Sequence, residues 1–319
     1  MTGRPRAGRA FAPGHLTGIF RAAGDDAPDP RARGSIGVGL VLELGARAEA
    51  RWEPGPRRSI AVRSRDGAPL PITQEAVRRL VGDRRGRMRV DLHHELPIGQ
   101  GFGMSAAGTL AAALAVSRAI GAPRRRAIEV AHLAELDGGG GLGGVAAILG
   151  GGLEIRRRPG VPPWGRIDHR PGPARIWVAL TGRGMATPPL LSDPDQMHRV
   201  LAASSRLPAL LRAPSIAGFA RASERFTDRL GLAPPPLRAA LRRLRRSGAW
   251  AAQSMFGASL FAIPRSRAAE PRIRRALAEL GLPAVEIGCA VRGAHLLPPI
   301  GPPDGRRKDF RGGPARRRP

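Results

Sequence analysis

The stretch with the greatest capacity for chemistry is Leu96-Pro97-Ile98-Gly99-Gln100-Gly101-Phe102-Gly103-Met104-Ser105-Ala106-Ala107-Gly108. Glycines at 99, 101 and 103 carry no Cβ, so a ligand can come close to the backbone. A helix begun near Ser105 would add unpaired N–H groups and the positive end of its dipole. A phosphate group suits that environment. A tight strand-to-helix turn that binds nothing has the same composition, so the loop alone leaves both readings open. Two familiar phosphate loops are excluded by missing parts. No Gly-Lys-Ser/Thr ending is present, and the glycine spacing gives only an imperfect GxGxxA, with no acidic residue about 20 positions on to hold a ribose.

The flanking periodicities supply the elements that must position this loop. Met88, Val90, Leu92 and Leu96 share one face of an alternating segment that Pro97 ends, which predicts a strand. Beyond the loop, small helix formers run to Ile120 with Leu110, Leu114 and Ser117 near one face. Ser105 is the expected N-cap, and Gly121 with Pro123 the expected stop. A further helix is predicted from Pro123 through Leu136, placing His132 and Glu135 one turn apart, and Gly138 to Gly144 ends it.

Upstream, Phe11 to Phe20 contributes a strand, Gly24 to Gly34 an exposed loop, and Ile36, Val38, Leu40, Leu42 and Leu44 alternate cleanly. Ile60 and Val62 follow in a shorter run, so the opening is β-rich and antiparallel. A short helix is predicted over 74–81 and a closing strand at Leu153 and Ile155. Arg158-Pro159-Gly160 through Gly172-Pro173 reads as a linker. The second half is predicted to hold a strand at 176–180, helices at 194–212 and 215–230, a basic amphipathic helix from Leu237 to Arg246, a strand at 259–263, a helix at 268–280 and a strand at 284–291. This mixed order is that of an α+β protein. Residues 302–319, rich in Gly, Pro and basic side chains, are expected to form a disordered tail.

A chain of 319 residues can bury a sizeable core as one large or two medium domains. Its formal net charge of +28 attracts anions, from nucleotides and small carboxylates to nucleic acid. Arginine supplies nearly all of that charge, the one lysine being Lys308, which suggests a coding bias as much as a binding patch. With 4% aromatic residues and no tyrosine, base-stacking platforms are poorly supported, and a nucleic-acid partner is not favoured. The single Cys289 excludes an internal disulfide and lies in an alternating run with Val285, Ile287 and Val291, which suits a buried inert thiol. The adjacent His93 and His94 point to opposite faces of a strand and are expected to be structural. Pro13 and Gly14 interrupt the start before an apolar core of signal-peptide length develops. The uncharged run from Leu96 to Ser117 is too rich in glycine for a spanning helix, so a cytoplasmic protein with no membrane partner is expected.

The arrangement Pro-x-x-x-Gly-x-Gly-x-Ser-Ala-Ala, beginning at Pro97, resembles the nucleotide loop of the GHMP kinases. Ala12-Pro13-Gly14-His15-Leu16-Thr17-Gly18, Gly141-Leu142-Gly143-Gly144-Val145-Ala146-Ala147 and Ala252-Gln253-Ser254-Met255-Phe256-Gly257 narrow the resemblance to the archaeal pantoate kinase branch, and the likeness spans residues 10 to about 298. The resemblance implies a GHMP kinase fold, with an N-terminal ribosomal-S5-like domain (1–165) and a C-terminal ferredoxin-like domain (166–301) about a cleft, before the tail. It also implies phosphorylation of the primary hydroxyl of pantoate on the way to coenzyme A, with ATP and Mg²⁺ as cofactors. The assembly state is left open, a homodimer included.

Residue by residue, the resemblance assigns the nucleotide to Pro97, Gly99, Gly101, Gly103, Ser105, Ala106 and Ala107, and the metal to Ser105 and Glu135. It assigns the acceptor to His15, Ser35, His132, Arg156 and Thr187. Arginine can meet a carboxylate through two parallel hydrogen bonds, and Ser, Thr and His can bond hydroxyls.

One departure matters. Where relatives carry Gly-Leu-Gly-Asp, with an aspartate thought to polarise or deprotonate the acceptor, this chain has Gly144. Three accounts are open. The protein transfers phosphate without a dedicated base, in the manner of homoserine kinases; Asp137 substitutes and joins Ser105 and Glu135 as catalytic; or the chain binds ligand without catalysis. On the first two accounts, Gly144→Asp is expected to raise turnover.

Overall fold

The computed structural model describes residues 6–182 and 193–299. Two long strands, β1 (Arg6–Ala23) and β2 (Gly34–Pro54), form an antiparallel ribbon whose register runs from Arg6 opposite Trp52 to Ala23 opposite Gly34. It shifts between Pro13 and His15 and again between Thr17 and Ile19. The alternating apolar run at 36–44 is thus only part of a strand. It continues because Ala46, Ala48, Ala50 and Trp52 are buried beneath the charged Arg47, Glu49, Arg51 and Glu53, and alanine gives a weak apolar signal in sequence.

β3 (Arg58–Ser64) pairs in parallel with β4 (Gly86–His94), which lies antiparallel to β2. Between them α1 (Pro71–Val81) crosses over. The loop then leads into α2 (Met104–Ile120), followed by α3 (Arg124–Asp137) and the single turn α4 (Gly144–Ala147). β5 (Leu153–Arg158) returns to the other end of β2, pairing Arg156 with Gly37, and β6 (Arg166–Arg170) pairs with β5. The segment read as a linker therefore adds an edge strand to the first sheet.

α2 is the centre of this half. All but three of its residues are buried, and its alanines allow close approach: a Cβ on Gly8 of β1 would come within 2.0 Å of the Ala115 carbonyl oxygen.

The second half is a four-stranded antiparallel sheet in the order β10, β7, β9, β8, made of β7 (Ile176–Leu180), β8 (Ala249–Gln253), β9 (Ser259–Pro264) and β10 (Ala284–Ile287). Helices α5 (Pro194–Ala203), α6 (Leu207–Arg212), α7 (Ile216–Leu230), α8 (Pro235–Arg246) and α9 (Glu270–Glu279) accompany it. The helix expected over 194–212 is broken by a 3-10 turn at Ser204–Arg206, just before Pro208. The strand expected to reach 291 stops at Ile287. Cys289 makes one isolated bridge to Leu42, Val291 is fully exposed, and the half-buried Cys289 thiol is pushed up to about 12 by burial. β11 (His295–Leu296) rejoins β1.

The two halves share apolar packing: Phe20 of β1 stands edge-on to Phe226 of α7 and to Phe256, at centroid distances of 5.9 and 5.7 Å. Among the described residues no helix is long and apolar enough to cross a membrane.

Candidate active site

A cleft at the head of α2 is lined by the glycine loop, by His15 and Thr17 of β1, by Ser35 of β2, by Glu135, by the 140–144 loop, by Arg156 of β5, and by Met255 and Phe256 from the second half. Its upper wall is the loop itself. Gly103 takes the left-handed φ of 63° immediately before α2, so it occupies the cap position expected of Ser105. The first intrahelical bond runs from Ala107 N to Gly103 O at 3.0 Å, which leaves the amides of Met104, Ser105 and Ala106 without a helical partner. Gly99, Gly101, Gly103, Ser105 and Ala106 line the cleft; Pro97 and the fully buried Ala107 do not.

The second half clamps this loop. A Cβ on Gly101 would come within 2.6 Å of the Ser254 carbonyl, and one on Gly257 within 2.1 Å of the Gln100 carbonyl. The side-chain amide of Gln100 donates to Gly182 O at 3.0 Å.

Released from capping, the Ser105 hydroxyl donates to Glu135 Oε1 at 2.7 Å, and the Thr109 hydroxyl donates to the same oxygen at 3.1 Å. Burial pushes the Glu135 carboxyl up to about 7, against the pull of those two bonds. Oε2 accepts neither hydroxyl. The donor set is carboxylate and hydroxyl oxygen, which is what a magnesium ion takes.

Asp137 is not brought to this place. Two residues beyond Glu135 on a helix, it projects to a different face, where it pairs with Arg79 of α1 at 2.7 Å and stays 59% exposed. As a substitute base it is excluded by position.

A buried polar cluster on the sheet adjoins the cleft through His15 and Arg156. Glu154 is fully buried. Its Oε1 accepts from His15 Nε2 at 2.9 Å and from Arg156 Nη1, while Oε2 has no partner. Arg156, 2% exposed, keeps its Nε unpartnered. A Cβ on Gly143 would meet Ser35 Oγ at 2.5 Å and Arg156 Nε at 2.8 Å, so Gly143 allows the loop to close over these two side chains. Burial drives the Glu154 carboxyl upward, but Arg156 and His15 outweigh it and hold it below the usual carboxylate range. Burial lowers the His15 imidazole more than Glu154 raises it.

Glu154 was not legible as a site residue. The alternation of Leu153 and Ile155 marks one face of the strand, and the same period places Glu154 and Arg156 together on the other.

His132 does not line the cleft. It is buried in α3 with Nε2 3.1 Å from the Arg33 carbonyl oxygen, so it anchors the segment that ends in Ser35. Arg31 adds a second tie to α3, 3.5 Å from Glu129. Thr187 lies outside the described residues.

Burial lowers the His132 imidazole to about 4. The unfolded chain takes up its proton near 6.5, so this contribution to stability is complete above about pH 6.5 and is lost as the pH falls towards 4. The loss is on the order of 3 kcal/mol. Urea unfolding of wild type and His132→Gln across this range should show the added acid sensitivity in the wild type only.

Comparison with known proteins bears on this architecture. Residues 72–152 match the N-terminal domain of GHMP kinases, and residues 207–281 match their C-terminal domain. The chain is 33% identical over 285 residues to the pantoate kinase of Thermococcus kodakarensis, covering 86% of this chain and 93% of the relative. The chain belongs to the GHMP kinase family.

A second relative of this GHMP kinase, the pantoate kinase of Methanospirillum hungatei, is 32% identical, with 80% of this chain and 86% of the relative aligned. A solved structure described as a phosphotransferase related to the CoA biosynthesis pathway superposes with a TM-score of 0.81 at 30% identity. That match covers 92% of this chain and 100% of the other.

As a GHMP kinase the chain still has no side chain at 144, and the packing there resists one. A Cβ on Gly144 would stand 2.7 Å from Ala106 Cβ, on the first turn of α2. Gly144→Asp therefore cannot simply restore a carboxylate. It should destabilise the protein by about 1–3 kcal/mol in urea unfolding, because neither backbone can give way cheaply.

Proposed function

We propose that this kinase transfers the γ-phosphoryl group of ATP to the primary hydroxyl of pantoate, the product serving coenzyme A synthesis. The observation that carries this reading is one cleft lined both by the amide-bearing head of α2 and by Ser35, Arg156 and His15.

The free amides at the head of α2 suit the nucleotide phosphates, with the helix dipole adding to their pull. Ser105 and Glu135 are the residues that would hold magnesium, which when bound neutralises charge on the phosphates. Arg156, a cleft-lining guanidinium with one N–H unpartnered, suits a carboxylate, and Ser35 a hydroxyl.

Pantoate carries both, together with two methyl groups on a quaternary carbon, for which Phe20, Leu142, Met255 and Phe256 provide an apolar wall. An amino acid acceptor such as homoserine would bring an ammonium group beside the buried Arg156 guanidinium, a like-charge encounter that the uncharged hydroxyl of pantoate avoids.

ADP release with pantoate, homoserine and mevalonate tests the assignment. Turnover with pantoate alone is expected; equal silence with all three would leave a ligand-binding protein and overturn the kinase reading.

A further inference from the structure

The missing aspartate leaves a question that the cleft itself can answer. Phosphoryl transfer depends mostly on positioning and charge stabilisation, yet the acceptor hydroxyl must still lose a proton. Among the described residues lining the cleft, His15 and Glu135 are the groups able to accept one. Glu135 has one oxygen taken by Ser105 and Thr109, on the phosphate side of the cleft. His15 stands between the glycine loop, where Phe102 O accepts from its amide at 2.9 Å, and Arg156, which shares Glu154 Oε1 with it.

Its environment is built in one sense. Glu154 is fully buried, and an ionised carboxylate can only accept, so the 2.9 Å contact makes His15 Nε2 the donor. The proton on Nε2 leaves Nδ1 with the ring's lone pair. His15 itself lines the cleft, and the neighbour of that nitrogen is the Thr17 hydroxyl, 3.4 Å away, whose place the acceptor hydroxyl would take. Arg156 Nη1 shares Glu154 Oε1 and fixes the carboxylate against the strand. A carboxylate that orients an imidazole and stabilises its protonated form is the arrangement that turns a histidine into a base.

We propose that His15, oriented by Glu154, takes the proton of the acceptor hydroxyl in place of the side chain that position 144 lacks. The hydroxyl oxygen forms a bond to the γ-phosphorus, and its proton passes to His15 Nδ1. The bond from that phosphorus to the β,γ-bridging oxygen breaks, its electron pair leaves with ADP, and the imidazolium later releases its proton to water. His15 is thereby a catalytic residue and Glu154 a positioning residue. This role rests on the kinase reading above.

The charged groups facing His15 are Glu154 and Arg156 from β5 and His169 from β6. Burial outweighs the carboxylate among them and keeps the ring neutral at pH 7, as a base must be.

Turnover of pantoate across pH 5 to 9 tests the dyad, in wild type, His15→Gln and Glu154→Gln. With magnesium saturating, so that the bound metal would keep Glu135 ionised, His15→Gln should lower kcat by about 10²–10⁴-fold and abolish the acid limb of the profile. Nucleotide affinity should stay within about threefold, since no ground-state contact to the phosphates is removed. Glu154→Gln, with an amide that still accepts from Nε2 but stabilises no positive charge, should lower kcat and move the acid limb to lower pH.

His15→Gln with wild-type kcat, or with an unchanged acid limb, would overturn the proposal while leaving the kinase assignment standing. Failure of the wild type on every acceptor would remove both. Because Glu154 lies in a buried charge cluster and its variant risks misfolding, the tautomer provides a second reading in the unaltered protein. Nitrogen NMR of isotope-labelled wild type should show His15 protonated at Nε2 near pH 7, and protonation at Nδ1 would overturn the dyad.

Discussion

Ser105→Ala should lower turnover by about 10²–10³-fold with little change in thermal stability. The hydroxyl contributes twice. It sits on the first turn of α2, among amides that have no helical partner, and it donates to Glu135 at 2.7 Å. Burial raises the Glu135 carboxyl to about 7, and the Ser105 bond is one of two that pull it back. Without that bond the carboxyl is protonated more readily and loses orientation, so the oxygen pair best suited to magnesium is dismantled. The structural cost is one hydrogen bond, about 1 kcal/mol, because Thr109 still satisfies Oε1. Ser105→Thr keeps the hydroxyl and should recover much of the rate. ADP release alongside thermal unfolding checks both statements, and Ser105→Ala with near-normal turnover would remove Ser105 from the machinery.

The same residue shows how far local signals reach. The strand, glycine loop and α2 were legible because glycine spacing and small helix formers act within a few residues of one another. The cap was misplaced by two positions: Ser is a common N-cap, but here Gly103 turns left-handed and starts the helix at Met104. That shift is what frees Ser105 to meet Glu135, 30 residues on. Asp137 looked close to Glu135 in sequence, yet helical geometry turns residues two apart to different faces. His132 was read as a ligand for the acceptor, whereas it bonds the backbone of a loop 99 residues away, a contact no local pattern encodes.

Glu154 was invisible for a related reason. A charged residue alternating with Leu153 and Ile155 reads as the solvent face of a strand. Both faces of β5 are buried over Leu153 to Arg156, because His15 on β1 and the 140–144 loop meet there. An arginine and a glutamate two apart, and so on one face of a short strand, are the signal that would have exposed the cluster. The C-terminal half was legible as an order of elements, but its part in the site depends on the turn at Ser254–Gly257 resting on Gln100 and Gly101.

Arg156→Leu should damage stability and substrate affinity together, and the two losses can be separated. Glu154 is fully buried, and its Oε2 already lacks a partner, so removing the guanidinium leaves a charge in the interior with only the neutral His15 ring to meet it. Breaking one side of such a pair typically costs about 3–5 kcal/mol, which urea unfolding would read as a clear drop in midpoint. Adding Glu154→Gln to the same chain removes the stranded charge and should return most of that stability. Affinity should not return, because the guanidinium of this cleft-lining residue is still missing. A charge-assisted hydrogen bond of about 1.5–3 kcal/mol corresponds to a KM for pantoate raised about 10- to 100-fold. Arg156→Lys divides the effects the other way. A lysine can still neutralise Glu154, so the fold should hold near wild-type stability, but one ammonium cannot serve that carboxylate and a substrate carboxylate with the fixed fork of a guanidinium. Its KM should therefore rise while its unfolding midpoint stays close to that of the wild type, and a normal KM in Arg156→Lys would show that this arginine supports the sheet without touching the acceptor.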